Sequence, residues 1–350
     1  GNADAGASVS NLTVNGKIIG TKNYTGGIVG DCKGSVTNCH NLAEVNGAKY
    51  TGGVVGDLGS GGTMSECSNS GTVSGEQSVG GVVGIIHSGS SNAVASCCNK
   101  GAVSGTTKVG GVVGDQYAYG SVVSNVYNVG SVKATTGYAG GVLGNFRSGT
   151  LKNAYMAGNV TGPTDAARGK IAASLEASGQ QKTLDKVFYI SSPVFEVVAN
   201  LSGMTIQNGT AVSKTSDELK MLADTLGDGF VADTKNINNG YPILSWQSEN
   251  AETDPDAPEI NPDGWDGNIS KNPPSQIDGV YQISNASELL WFAGAAKTTP
   301  DVKAVLTANI DLNNRSWTPI GGNNAESAYS GTFDGRGFTI SNLYIKTTSN

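Results

Sequence analysis

Apolar positions in the first half of the chain repeat at long intervals. One set is Val9, Val36, Met64, Val94, Val123 and Leu151. A second, three residues later, is Leu12, Cys39, Cys67, Cys97, Val126 and Ala154. A third, six residues beyond, is Ile18, Val45, Val73, Val103, Val132 and Val160, each followed two positions on by glycine or, at Ala134, alanine. Between these sets run near-copies of Tyr50-Thr51-Gly52-Gly53-Val54-Val55-Gly56-Asp57. Their glycine pairs are Gly26-Gly27, Gly52-Gly53, Gly80-Gly81, Gly110-Gly111 and Gly140-Gly141, with first glycines 26, 28, 30 and 30 residues apart. A near-constant spacing of that size marks a repeat architecture.

Neither regular period fits one repeat. A helix needs apolar residues every three or four places and few glycines, and a flat strand needs strict alternation. Val36 and Cys39 are both apolar, so the chain must turn between them, and Asn38 is the expected corner because Asn tolerates the left-handed backbone region. The paired glycines mark either another corner or a close backbone approach. One coil of a parallel β-solenoid (a β-helix) per repeat satisfies these demands, each coil stacking ~4.8 Å above the last. Equivalent residues then form columns: an apolar core that includes Cys39, Cys67 and Cys97, and two amide ladders. Asn11, Asn38, Asn125 and Asn153 form one ladder, interrupted by Glu66 and Ser96; Asn41, Asn69, Asn99 and Asn128 form the other. The general crossover preference makes the expected coil right-handed.

The Gly-Gly-Val-Val-Gly runs at 52–56, 80–84 and 110–114, with Asn38-Cys39, Cys97-Cys98-Asn99 and Val126-Tyr127-Asn128, resemble the GLUG-type glycine-rich repeat family of bacterial surface proteins. The resemblance covers about residues 8–162. That family includes adhesin-like proteins and non-catalytic regions of metallopeptidases that cut immunoglobulin A. It implies a secreted or wall-attached location.

The solenoid is therefore expected over 1–162, with degenerate coils and a C-terminal cap over 163–247. Gly169-Lys170-Ile171-Ala172-Ala173 reads as a worn glycine run, and Val187–Ile190 and Val194–Val198 read as strands. Ser216 is the expected cap of a helix running to Leu226 and stopping at Gly227. Asn239–Trp246 resembles the closing segment of the family's domains. Residues 248–277 hold five of the ten prolines and Asp254, Asp256, Glu259, Asp263 and Asp266, and read as an acidic linker. From 278 a strand at 279–284, a short helix capped by Ser287, a strand at Val305–Leu312 and one more coil at 331–340 resemble the entry module that precedes the repeats in the same family. Ser341-Asn342-Leu343 matches Ser10-Asn11-Leu12. The module is thus expected to stack on the residue 1–20 coil of a following unit or of a neighbouring chain, in preference to folding back within the same chain. Deleting it should then abolish end-to-end association.

Composition narrows the function. Glycine is 51 of 350 residues, about twice the usual share, without a collagen period. A charged fraction of only 15% argues against a charge-driven disordered chain. The net charge of −7 argues against nucleic acid. No run of 18 apolar residues occurs. The chain opens on Gly1 without a signal peptide and reads as part of something longer. Cys32, Cys39, Cys67, Cys97 and Cys98 form no dense disulfide framework. The three stacked cysteines point to core thiols rather than to a metal site, because a column does not converge on a tetrahedron.

Asp31, Asp57 and Asp115 follow the glycine runs in one column. They read as turn formers, with a stacked calcium site as the alternative. Tyr117, Tyr119, Tyr127, Tyr138 and Tyr155 form either an exposed strip able to bind sugar or protein, or a cross-coil stack that covers the core. His40 and His87 are the only histidines, and no H-E-x-x-H, nucleophile elbow or phosphate loop appears, so no enzyme and no cofactor are expected. The expected function is structural: a stalk, filament subunit or adhesin segment on a bacterial surface, stacking end to end with its own copies. A face that binds host glycan or protein, and a spacer in a secreted protease, are the alternatives.

Overall fold

The computed structural model describes residues 1–87, 89, 92–175, 181–191, 210–249, 265, 267–322 and 326–347. The expected strand at 194–198 and the linker residues Asp254, Asp256, Glu259, Asp263 and Asp266 lie outside this set. The chain forms a parallel β-solenoid of about ten turns. Three stacked sheets build it. One takes the strands Asn2–Ala3, Val29–Cys32, Val55–Leu58, Val83–Ile86, Val113–Gln116, Leu143–Phe146 and Ala172–Ser174; another takes Thr25–Gly26 through Arg168–Gly169; the largest carries the remaining faces of the coils.

The columns stack in the register that the spacing predicts. Val45 pairs with Val73, Val73 with Val103, Val103 with Val132 and Val132 with Val160. Gly52, Gly80, Gly110, Gly140 and Gly169 pair in turn, which places the worn glycine run in a coil of its own. Val36, Cys39, Val45, Val73 and Val103 are buried in one continuous core. Asn38 turns at φ 51°, as do Asn11, Asn125 and Asn153 near the same value. Glu66 and Ser96 adopt the same left-handed angles in their coils, so the corner belongs to the column and not to asparagine.

Both amide ladders form. Asn41 Nδ2 donates to Asn69 Oδ1 at 2.7 Å, Asn69 to Asn99 at 2.8 Å and Asn99 to Asn128 at 2.8 Å, all buried. The ladder holds the coils in register at roughly 1 kcal/mol per net hydrogen bond. The paired glycines sit at close contacts and not at left-handed corners. A Cβ on Gly53 would meet the Gly81 carbonyl oxygen and the Asn69 amide, and one on Gly52 would meet the Val55 carbonyl.

After the last paired strands, Lys182–Ile190 with Ala211–Lys214, the chain runs back along the outside of the stack. Two short helices, Ser216–Lys220 and Ala223–Leu226, replace the single expected one. Thr215, not Ser216, caps the first, because Thr215 and Glu218 stand at the spacing of a capping box: Thr215 Oγ1 accepts from Glu218 N, and Thr215 N donates to Glu218 Oε2. The return continues through the pair Phe230–Val231 and Ile243–Leu244 to the helix Ser245–Glu249. Trp246 there donates to the Ser96 carbonyl and stacks on His40. Much of the axial distance is thus recovered before residue 250.

The C-terminal module closes on its own chain. Ser8–Ser10 pair with Thr332–Asp334, and Thr13–Gly20 pair with Thr339–Thr347. The matched tripeptides do not stack on one another: Ser10 pairs with Asp334, and Leu343 pairs with Gly16. Asp334 Oδ1 instead accepts from Asn11, and Asp311 accepts from Asn342, which extends the corner ladder into the module. The module also begins earlier than expected, since Gln276–Ile277 form a hairpin with Val280–Ile283, and Ser270 N donates to the Ser287 carbonyl. Asn285, not Ser287, caps its helix, Ala286–Thr298, by accepting from Glu288 N. That helix packs Leu289, Phe292, Ala293 and Ala296 against the solenoid core.

Candidate functional site

The chemistry of the solenoid gathers where the glycine strands meet. Two residues before each of the first four glycine pairs lies a second left-handed column, Tyr24, Tyr50, Ser78 and Lys108, with φ between 54° and 65°. The sequence reading missed it, because bulky side chains seldom take this conformation. The glycine three residues beyond each pair makes room for these corners: a Cβ on Gly56 would lie 2.7 Å from the Tyr24 carbonyl carbon. The next residue in the strand then points its side chain beside the corner column. That set is Asp31, Asp57, Ile85, Asp115 and Asn145, paired in sequence.

The aspartates lie inside strands and not in turns, so the turn-forming expectation is corrected; each takes its partner from the neighbouring columns. Asp57 is buried and its Oδ2 lies 3.1 Å from His87 Nδ1. Burial raises its pKa to about 6, the His87 hydrogen bond opposing the rise. Asp31 is raised by burial also, with Lys33 opposing. Asp115 Oδ2 accepts from Lys108 Nζ at 3.0 Å, and its Oδ1 accepts from Asn145 at 2.8 Å. Ile85 divides the carboxylates into two groups, so a stacked calcium ion would face at most Asp31 and Asp57, few of the six to eight oxygens it takes. Among the described residues no group of three or more His, Cys, Asp or Glu side chains is placed to hold a metal ion.

A ring column flanks the carboxylates. Tyr24 stacks on Tyr50 at 5.3 Å, Tyr50 on His87 at 6.5 Å, His87 meets Tyr117 edge-on at 5.8 Å, and the Arg147 guanidinium lies 4.2 Å from the Tyr117 centroid. The expected strip of Tyr117, Tyr119, Tyr127, Tyr138 and Tyr155 does not exist as one surface. Tyr127 and Tyr155 are fully buried, stacked at 5.0 Å, and covered by Leu219, Leu222, Leu226, Phe230 and Leu244 of the return segment. Their hydroxyls reach Gln247 and the Pro242 carbonyl. Tyr119 is 49% exposed in a turn, and Tyr138 is half-buried beside the glycine strand that follows it. Side chains one residue beyond the core column point away from the solenoid, so they need an outer cover, and the sequence pattern does not say which distant segment provides it.

All five cysteines are free and buried. Burial pushes Cys32 to about 12 and Cys98 to about 11, and Cys67 well upward in its column between Cys39 and Cys97. A thiol so placed is a poor nucleophile. The native protein is expected to leave all five unreactive toward an aromatic disulfide reagent, and the urea-unfolded chain to titrate five; prompt labelling of the native protein would contradict the core assignment. Cys67→Ala is expected to fold normally and lose ~1–2 kcal/mol.

His40 is half-buried against Trp246, and desolvation there lowers its pKa to about 4. It and Asp57 give opposite pH slopes. The raised Asp57 costs stability as pH rises from its ordinary value of 3.8 to about 6, because the unfolded chain loses its proton first. The depressed His40 costs stability as pH falls from 6.5 to about 4, because the unfolded chain gains its proton first. Asp57→Asn is expected to remove one of the slopes that oppose His40, Asp31 keeping its own, so that stability by urea unfolding falls more steeply below about pH 6 than in the parent. An unchanged profile would show that Asp57 titrates normally.

Comparisons with protein-family models, with curated proteins and with solved structures give no match for this chain. Among the described residues no helix is long and apolar enough to cross a membrane.

Proposed function

We propose that this chain is a non-enzymatic, stiff segment of a bacterial surface protein, a stalk or adhesin piece of the kind its GLUG-type repeats resemble. The observation that carries the reading is the unbroken in-register stack: valine columns and a buried amide ladder that run along one axis. Such a stack resists bending and proteolysis because the strands inside it are paired on both sides. A filament built through the first coil would need one chain's module to leave its own residues 8–20 and pair with those of another. Small-angle scattering of the purified protein should return a rod of ~48 Å for ten coils. Protease shaving of intact source cells should release it. A protein retained inside shaved cells, or a measured hydrolytic turnover, would sink the reading.

A second reading, recognition of glycan or protein by one face, is favoured by the half-exposed column of Tyr24, Tyr50, His87 and Tyr117. Glycan-array binding lost in Tyr50→Ala would support it. The same fold would serve as a spacer beside a protease domain, the third reading.

A further inference from the structure

We propose that Lys108 and Asn145 join in an intramolecular isopeptide bond, with Asp115 carrying protons between them. Three strands in two successive coils bring the groups together: Thr107–Gly110, Val113–Gln116 and Leu143–Phe146. One carboxyl group holds both reactants, the amine on Asp115 Oδ2 at 3.0 Å and the carboxamide on Oδ1 at 2.8 Å. The Lys108 backbone is pressed against the residue before Asn145, since a Cβ on Gly144 would lie 2.5 Å from the Lys108 carbonyl carbon.

The setting is dry. Asn145 is fully buried, Asp115 is 3% exposed, and the Lys108 side chain is 16% exposed. Burying an ion pair is costly. Transfer of one proton along the Lys108–Asp115 hydrogen bond gives a neutral amine and a neutral acid instead. Asn145 Oδ1 is buried without a hydrogen-bond partner. The assignment of amide oxygen and nitrogen rests on such partners. A half-turn of this amide places its oxygen on the protonated Asp115, which satisfies the orphan acceptor and polarises the carbonyl carbon.

The reaction balances without an added reagent. The Lys108 Nζ lone pair attacks Asn145 Cγ and forms the C–N bond, while the Asp115 proton moves to the amide oxygen. On collapse, a proton from Nζ passes by way of Asp115 to Nδ2, the Cγ–Nδ2 bond breaks, and the carbonyl re-forms as the proton on its oxygen returns to Asp115. One ammonia leaves, nothing is oxidised, and Asp115 is regenerated. Equivalent corners lack this set: Tyr24 and Tyr50 carry no amine, and Ser78 stands beside Ile85. The bond would lock two neighbouring coils covalently across their hydrogen-bond ladder.

Intact-mass spectrometry of the denatured full chain tests this. The expected mass lies one ammonia below the sequence mass, and peptide mapping should find Lys108 linked to the peptide that holds Asn145, with no tryptic cut after Lys108. Lys108→Arg keeps a cation on Asp115, and it and Asn145→Ala should each return their own full sequence mass and a lower melting temperature. Asp115→Ala should also return the full mass; if it fails to fold, the Lys108→Arg and Asn145→Ala comparisons decide. A natively folded wild-type chain at its full sequence mass overturns the proposal. So does loss of one water, which would mean a Lys108–Asp115 linkage.

Discussion

Gly53→Val is expected to abolish cooperative folding of the coils around residue 53. The new Cβ would point at the Gly81 carbonyl oxygen and lie 2.5 Å from the Asn69 side-chain carbon. The first contact is with backbone, which cannot turn aside, and the second is with the buried ladder that joins Asn41, Asn69 and Asn99. Relief would need the two coils to separate, breaking strand pairs in both. Ordinary overpacking costs ~1–3 kcal/mol because side chains can shift, and the loss here should exceed that range. Gly294→Ala is the matched control. Its Cβ would meet nothing within 4 Å in the middle of the helix Ala286–Thr298, so it should stabilise the protein by ~0.5–1 kcal/mol. Urea unfolding followed by circular dichroism reads both. A Gly53→Val protein that unfolds like its parent would show that the coils are not packed as tightly as described.

Removing residues 265–350 is expected to turn a monodisperse protein into an associating one. The module covers the edge of Ser8–Gly20 and the apolar side chains Val9, Leu12 and Val14. Without it the first coil offers an unpaired strand edge and an open end of the core, which is a template for pairing with other chains. Multi-angle light scattering should show a rise in mass with concentration. This sign is opposite to the one that the sequence alone suggests, because the module already pairs in cis. A truncated chain that stays monomeric with unchanged thermal unfolding would show that the seam adds nothing to the fold.

The stacked core and the Asn41–Asn128 ladder were legible in the sequence because a parallel, in-register stack places like on like. Recurrence alone therefore predicts that Val45 sits over Val73 and Asn69 over Asn99. The carboxylate column was legible as a column, but its chemistry was not. Asp57 meets His87 from thirty residues away, and Lys108 reaches Asp115 because its backbone takes a left-handed angle, which no local rule assigns to lysine. The Asn38 corner was predicted from residue type; the matching corners at Tyr50 and Glu66 were not, since they inherit their geometry from the coils beside them.

The sequence by itself determined the axial order of this protein, because each coil needs only its neighbours to define its register. The tertiary structure alone decided what covers the outside: the return segment over Tyr127 and Tyr155, Trp246 on His40, and the C-terminal module on the first coil of its own chain. Those contacts join segments that share no repeat, so periodicity carries no information about them. They are set by where apolar surface is left unburied and how far the chain can travel to meet it.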